Sequence, residues 1–235
     1  MSLLRRAEHA PERMDAPDVE GGRLRHALDD IAAVNRWLGG RRALLRHLPD
    51  ALPPTPGSAR ILDVGTGSCD LPLAVARWAE GRGRAISLTG VDLHPGTIAV
   101  ARERIADRPE IRLARADARR LPFPDGVFHL ALLSMTLHHL DGPDLVAALR
   151  ELGRVARGGV VLVGELERAL PHYLGARLLS ATLWRRHPVT RHDGPLSVLR
   201  AFTPDELLDL ARSAGLGRPR VHRHPFYRLV LRAEA

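Results

Sequence analysis

At 235 residues the chain is long enough to bury one sizeable core, and its single cysteine, Cys69, excludes an internal disulfide framework and a cysteine-based metal cluster. The net charge of +8 rests on 35 basic residues that are all arginine; lysine and glutamine are absent and Asn35 is the one asparagine. That is a bias of composition, spread along the chain, and it argues little for a nucleic-acid surface. No apolar run approaches the roughly 18 residues of a spanning helix, and the start MSLLRRAEHAPERMD lacks a signal-peptide apolar core, so a soluble cytoplasmic protein is expected.

In chain order, Leu24, Leu28, Ile31, Val34 and Leu38 recur at helical steps until Gly39-Gly40, and a second helix runs from Arg41 to Leu48. The proline-rich PDALPPTPGSA that follows holds neither helix nor strand. Residues 1–56 are therefore expected to form a helical cap with its linker, ahead of a main unit over 57–235. From Arg60 short apolar strands alternate with helices. The strands are Ile61–Val64, Ile86–Asp92, Ile111–Ala116, Phe128–Ser134 and Val160–Glu165; the helices between them are Leu71–Ala79, Gly96–Ala106 and Asp144–Val155. This succession predicts a doubly wound α/β fold, a parallel sheet with helices on both faces. Near 167–202 comes an insertion without strand character, long enough to be functional. A helix then starts at Thr203, with Pro204 in its first position and Glu206 completing a capping box. Two last strands, Arg218–His224 and Phe226–Leu231, are split by Pro225 and read as a closing hairpin with an antiparallel edge.

The first strand runs into Gly65-Thr66-Gly67-Ser68-Cys69-Asp70. A dinucleotide turn wants a third glycine where Asp70 stands, and a pyrophosphate at a helix N-terminus is disfavoured by Asp63 and Asp70 together. S-adenosylmethionine carries an ammonium and a sulfonium and no phosphate, so acids suit it. The same residues also make a tight turn with Asp70 as N-cap. Asp92 ends the second strand, where a carboxylate can accept ribose hydroxyls; it is equally placed as a turn acid before His94-Pro95. Asp117 follows the third strand, a candidate for the adenine amino group or another turn residue.

The ordered set ILDVGTGS, VDLHP, ADARRLPFPDGVFHL and LHHLDGPDLVAALRELGRVARGGVVLV resembles the class I S-adenosylmethionine-dependent methyltransferases of the type 11 kind, over roughly residues 58–235. The resemblance implies a seven-stranded, mostly parallel sheet with an antiparallel last strand. It also implies S-adenosyl-L-methionine as cofactor, with Asp63, Gly65, Thr66, Gly67 and Ser68 at its methionine end. Asp92 and Leu93 then stand at the ribose, Asp117 and Ala118 at the adenine, and Ser134 on the floor. Two departures stand out: Cys69 replaces a family glycine, and Phe128-His129 replaces a frequent Phe-Asp.

VNRWLGGRRALLRHL and TRHDGPLSVLRAFTPDELLDLARSAGL are similar to bacterial small-molecule methyltransferases that accompany type III polyketide synthases in secondary metabolism. An aromatic or phenolic small-molecule acceptor is implied, methylated by in-line displacement. Tyr173–Trp184, with Leu174, Leu178, Leu179 and Leu183 on one helical face, reads as a roof over that acceptor or as an ordinary core helix; Arg177, Arg185 and Arg186 also permit a membrane-surface role. A phenol of pKa about 10 needs a base near neutrality, and His139, His138 and His192 are the candidates, each of which could instead only pack. Asn35 and Arg36 either close over the cofactor or end a solvated helix. No carboxylate cluster of the catechol-methyltransferase kind can be assembled, so no metal is expected. The rival readings are an RNA or protein methyltransferase, a non-catalytic S-adenosylmethionine-binding protein and a nucleotide-dependent oxidoreductase. SMTLHHL, after the fourth strand, lacks the amide and prolines of the first, and intact Asp63, Gly65, Gly67, Asp92 and Asp117 argue against the second. Asp70 argues against the third. No specific nucleic-acid partner and no stable membrane insertion are expected, and the oligomeric state is left open.

Overall fold

The computed structural model describes residues 4–16, 21–53 and 57–235. Three helices come first: α1 (Gly21–Trp37), α2 (Gly40–Leu45) and α3 (Leu48–Ala51). The expected single helix from Arg41 to Leu48 is thus two pieces, interrupted at Arg46-His47. β1 (Ala59–Val64), α4 (Asp70–Glu80), β2 (Ile86–Asp92), α5 (Pro95–Arg104), β3 (Ile111–Arg115), β4 (Leu130–Ser134), α6 (Pro143–Val155) and β5 (Val160–Leu166) alternate as the apolar runs require. The insertion folds as two helices, α7 (Leu170–Ala181) and α8 (Pro188–Arg200), and α9 (Pro204–Ser213) precedes β6 (Gly217–His224) and β7 (Arg228–Glu234). The capping box of α9 is complete: Thr203 Oγ1 accepts from Glu206 N at 3.3 Å, and Glu206 accepts from Thr203 N at 2.8 Å. The last strand starts at Arg228 rather than Phe226, because Phe226 and Tyr227 adopt positive φ and make the hairpin turn.

The seven strands lie in the order β3-β2-β1-β4-β5-β7-β6, with β7 antiparallel to both of its neighbours and the other pairings parallel. Successive side chains of a strand point to opposite faces, so each central strand feeds two cores. Leu62, Val64 and Leu133 pack with Leu149, Leu152 and Leu207 of α6 and α9 on one face. Ile61, Leu130 and Leu132 pack with Leu44, Leu48 and Val75 on the other. Each such buried aliphatic side chain contributes on the order of 1.5–3 kcal/mol of transfer free energy. Winding reverses between β1 and β4, and a doubly wound sheet opens its ligand crevice at that point. Among the described residues no helix is long and apolar enough to cross a membrane.

Candidate active site

Above the carboxyl ends of β1, β2 and β4 lies a cleft of about 760 Å³. Asp63, Gly65, Thr66, Gly67, Ser68, Asp92, Leu93, Asp117, Ala118 and Ser134 all line it. The glycine turn is shaped by close approach: a Cβ on Gly65, which has φ +69°, would stand 2.1 Å from Thr136 Oγ1. Its backbone donors turn back toward β2. Gly65 N and Thr66 N donate to Val91 O at 2.8 and 2.9 Å, and Gly67 N donates to Asp92 Oδ2 at 3.1 Å. These N–H groups are therefore spent and cannot converge on a phosphate.

Cys69 adopts φ +62°, the left-handed conformation for which the resembling family uses glycine, and its buried side chain lies 3.5 Å from Thr66 Oγ1. Asp70 is consequently the first residue of α4 and not its N-cap; Cys69 holds that position without a side-chain cap bond.

Asp70 is ion-paired with Arg41, Oδ2 to Nε 3.9 Å, while some polar atoms of the cleft lack a hydrogen bond. Asp63 Oδ1, Asp70 Oδ2 and Asn35 Oδ1 are buried with no hydrogen-bond partner among the described residues, and all three residues line the cleft. Burial pushes the Asp63 carboxyl up to about 7 and raises Asp70 and Asp92 as well. The turn reading of Asp92 is observed: its two oxygens accept from His94 N (3.0 Å) and Gly67 N (3.1 Å), fixing the loop, and the residue also lines the cleft. Asp117 lies beyond β3 and is gripped by Arg119 at 2.7–3.1 Å, which holds its carboxyl low and directs it along the rim. Asn35 is buried rather than solvated, whereas Arg36 is exposed and lies over the Trp37 ring.

Beside the cleft is a second, largely apolar cavity of about 400 Å³, between α1, α7 and α8. The two share Met14, Ile31, Asn35, Met135 and His139 as walls. The roof differs from the leucine stripe expected over Tyr173–Trp184. Leu174, Leu178 and Leu183 are 58, 65 and 74 % exposed, and the cavity is faced by Gly175, Ala176, Leu178 and Leu179 together with Trp184. Much of the leucine stripe is therefore turned outward. Of the three candidate bases, His192 lines neither cavity; it pairs with Asp193 at 2.7 Å, and Asp193 is the one that faces inward, since neighbours on a helix point about 100° apart. His138 is buried, its Nδ1 2.8 Å from Glu165, and His139 has its Nδ1 2.8 Å from Asp15. Burial works to lower the His139 pKa, but Glu12 and the bond to Asp15 outweigh it and bring it to about 9. At neutral pH His139 is thus an imidazolium that presents charge to the cavity rather than accepting a proton. The fold also gathers Glu12, His138 and His139, one ligand atom of each within 4.8 Å of the others. Glu12 arrives from the N-terminal segment beside both histidines, a partner too distant in sequence to form a spacing motif.

Residues 61–159 match a methyltransferase domain family. The demethylmenaquinone methyltransferase of Lysinibacillus sphaericus is 28 % identical over 148 residues, covering 62 % of this chain and 59 % of the relative. That of Thermus thermophilus is 39 % identical over 108 residues, covering 45 % of this chain and 46 % of its own. The chain spans about half the length of the curated relatives it matches. A solved SAM-dependent methyltransferase from Aquifex aeolicus shares the fold at a TM-score of 0.62 and 14 % identity, over 92 % of this chain and 98 % of that one. Residues 61–159 thus carry a methyltransferase domain, set in a fold shared with S-adenosylmethionine-dependent methyltransferases. The acids of the cleft suit a cationic, phosphate-free ligand better than a dinucleotide. Sequence reasoning missed Glu12, Asp15 and Glu165, isolated acids with no motif around them, which tertiary packing alone gathers at the histidines.

Proposed function

We propose that this methyltransferase transfers a methyl group to a small, apolar aromatic acceptor with an ionisable oxygen, held in the cavity under α7 and α8. The observation that carries this reading is the largely apolar cavity joined to the cleft through shared walls, with His138, His139, Glu12 and Asp193 among its polar groups. S-adenosylmethionine, when bound, supplies an activated methyl electrophile. The protein's own task is to align an acceptor against it and to exclude water. Asp63 and Asp70 offset the cofactor's positive charge, Asp92 takes ribose hydroxyls, and Met135 and Ile31 hold the acceptor's apolar body at the boundary. The positive His139 favours an acceptor that is already anionic; that makes electrostatic capture, rather than proton removal by His139, the first duty of this end of the cavity. The demethylmenaquinone methyltransferases among the relatives, and the resemblance to enzymes accompanying type III polyketide synthases, both support an electron-rich aromatic acceptor of cytoplasmic secondary metabolism.

The test is to incubate the purified protein with S-adenosylmethionine labelled in its methyl group and a panel of alkylated phenols, hydroquinones and hydroxynaphthoquinols. Label is expected in an aromatic product, with small hydrophilic phenols transferred poorly. Labelled protein or RNA substrates with no small-molecule product would overturn the proposal.

A further inference from the structure

We propose that Glu12, His138 and His139 form a binding site for one divalent transition-metal ion at the polar end of the apolar cavity. His138 and His139 lie in the short turn after β4, and Glu12 enters on the segment before α1. Glu12 Oε1 stands 3.7 Å from His138 Nε2 and Glu12 Oε2 stands 3.9 Å from His139 Nε2. One ligand atom from each of the three residues lies within 4.8 Å of the other two. The two Glu12 separations are too long for hydrogen bonds. They approach the roughly 3.4 Å between ligands that sit about 2.0–2.1 Å from a tetrahedral ion.

The far side of each ring gives an independent indication. Both Nδ1 atoms are fixed by carboxylates of their own, Glu165 for His138 and Asp15 for His139, each at 2.8 Å. A ring that donates its Nδ1–H to a carboxylate presents the other nitrogen, Nε2, as a ligand, and this outer shell is what orients metal-bound imidazoles. Glu12 is held as well: Ser197 Oγ donates to its Oε1 at 2.9 Å, and the next two backbone N–H groups, of Arg13 and Met14, donate to Asp193 at 2.9 and 3.0 Å. Charge points the same way. A metal ion binds His139 in exchange for its proton; with both imidazoles then neutral, the cluster holds the carboxylates of Glu12, Asp15 and Glu165. Buried Arg228 offsets Glu165, and Arg200 is engaged by Asp141 and the carbonyls of Ala10 and His138. The remaining negative charge is that of a dication's partner set.

Two imidazoles and a carboxylate suit zinc, cobalt, manganese or ferrous iron, and not calcium or magnesium, which prefer oxygen throughout. Three protein ligands leave a coordination position free. All three residues line the apolar cavity, and His139 lines the cofactor cleft too. The ion is placed to hold the anionic oxygen of the acceptor. That role rests on the methyltransferase reading; the site itself does not.

Tag-free full-length protein, stripped with a chelator, is to be titrated with Co²⁺ and then Zn²⁺, followed by visible absorption and calorimetry, with S-adenosylhomocysteine binding measured on the same samples. One Co²⁺ per chain is expected, with d–d bands that Zn²⁺ abolishes. Glu12→Gln and His139→Gln should each weaken Co²⁺ binding by about 100-fold or more, and Asp15→Asn by about 10–100-fold, while S-adenosylhomocysteine still binds. Absence of stoichiometric Co²⁺ binding by the wild-type chain overturns the site, and so does binding that is unchanged in both ligand variants. The wild-type titration decides even where a variant fails to fold. Failure of S-adenosylhomocysteine to bind overturns the methyltransferase reading instead and leaves the metal result standing.

Discussion

Asp63 is a buried acid whose raised pKa couples folding to pH and, on the proposed function, to cofactor binding. Its folded pKa of about 7 lies above the ordinary carboxylate value, so its contribution to stability is greatest at low pH and is lost as pH rises from about 4 to 7. A cationic ligand needs the ionised form. Cofactor affinity should therefore climb by up to about tenfold per pH unit between pH 5 and 7 and then level off. Asp63→Asn should flatten the profile; calorimetry that finds the same slope in the variant would remove Asp63 from the cofactor site. Asp92 holds the turn and is proposed to take ribose hydroxyls, and Asp92→Ala tests both. Cofactor binding should weaken by about 1.5–3 kcal/mol, the range for hydrogen bonds to a charged group. The empty protein should also lose about 1–3 kcal/mol, since the N–H groups of Gly67 and His94 are left without an acceptor. Chemical denaturation of the empty variant separates the two, and unchanged cofactor affinity would leave Asp92 only its turn role.

At the scale of elements, α7 and α8 set the size of the acceptor cavity. A Cβ on Gly175 meets nothing within 4 Å, and Gly175 lines the cavity from the middle of α7. Gly175→Phe should fold normally, because replacing a helical glycine favours the helix by up to about 1 kcal/mol. It should leave cofactor affinity intact and raise the KM for a bulky acceptor by more than about tenfold, as a filled cavity excludes what it held. A steady-state comparison of bulky and compact acceptors checks this; equal loss for both would place the acceptor elsewhere. Gly194 offers the contrasting case. A Cβ there would stand 2.8 Å from the Trp184 ring, so its substitution disturbs packing rather than the cavity alone.

For the whole molecule, part of the arginine complement is engaged in internal pairs, and the excess over the acids is spread along the chain. Arg154 bridges Glu151 and Asp125, Arg119 bridges Asp117 and Asp144, and Arg104 pairs with Asp29 while donating to Ser68. Binding to RNA should accordingly be weak, insensitive to sequence and steeply reduced by salt. A fluorescence titration at physiological salt that revealed tight, sequence-dependent binding would contradict this. Saturating S-adenosylhomocysteine, at about 100 times its dissociation constant, should add about 2.7 kcal/mol and raise the melting temperature by roughly 5–10 °C; NAD should not.

The doubly wound sheet and the cofactor cleft were legible in the chain itself because both are local in origin. A buried parallel strand announces itself as an apolar run, and acids that line the cleft stand at strand ends, where Asp63, Asp92 and Asp117 can be counted off from Ile61, Ile86 and Ile111. Strand ends at Arg228 and Leu130 were less legible, since they depend on which neighbour completes the ladder. The acceptor end was decided by tertiary structure alone. The leucines of α7 look like a core stripe, yet whether they face in or out depends on how closely α8 can approach. Glu12, Asp15 and Glu165 carry no signal where they stand in the chain; they acquire one only when the N-terminal segment, β5 and the turn after β4 converge on His138 and His139. Periodicity records what a residue's own element demands, whereas a site built across elements is fixed by distances that no spacing in the sequence encodes.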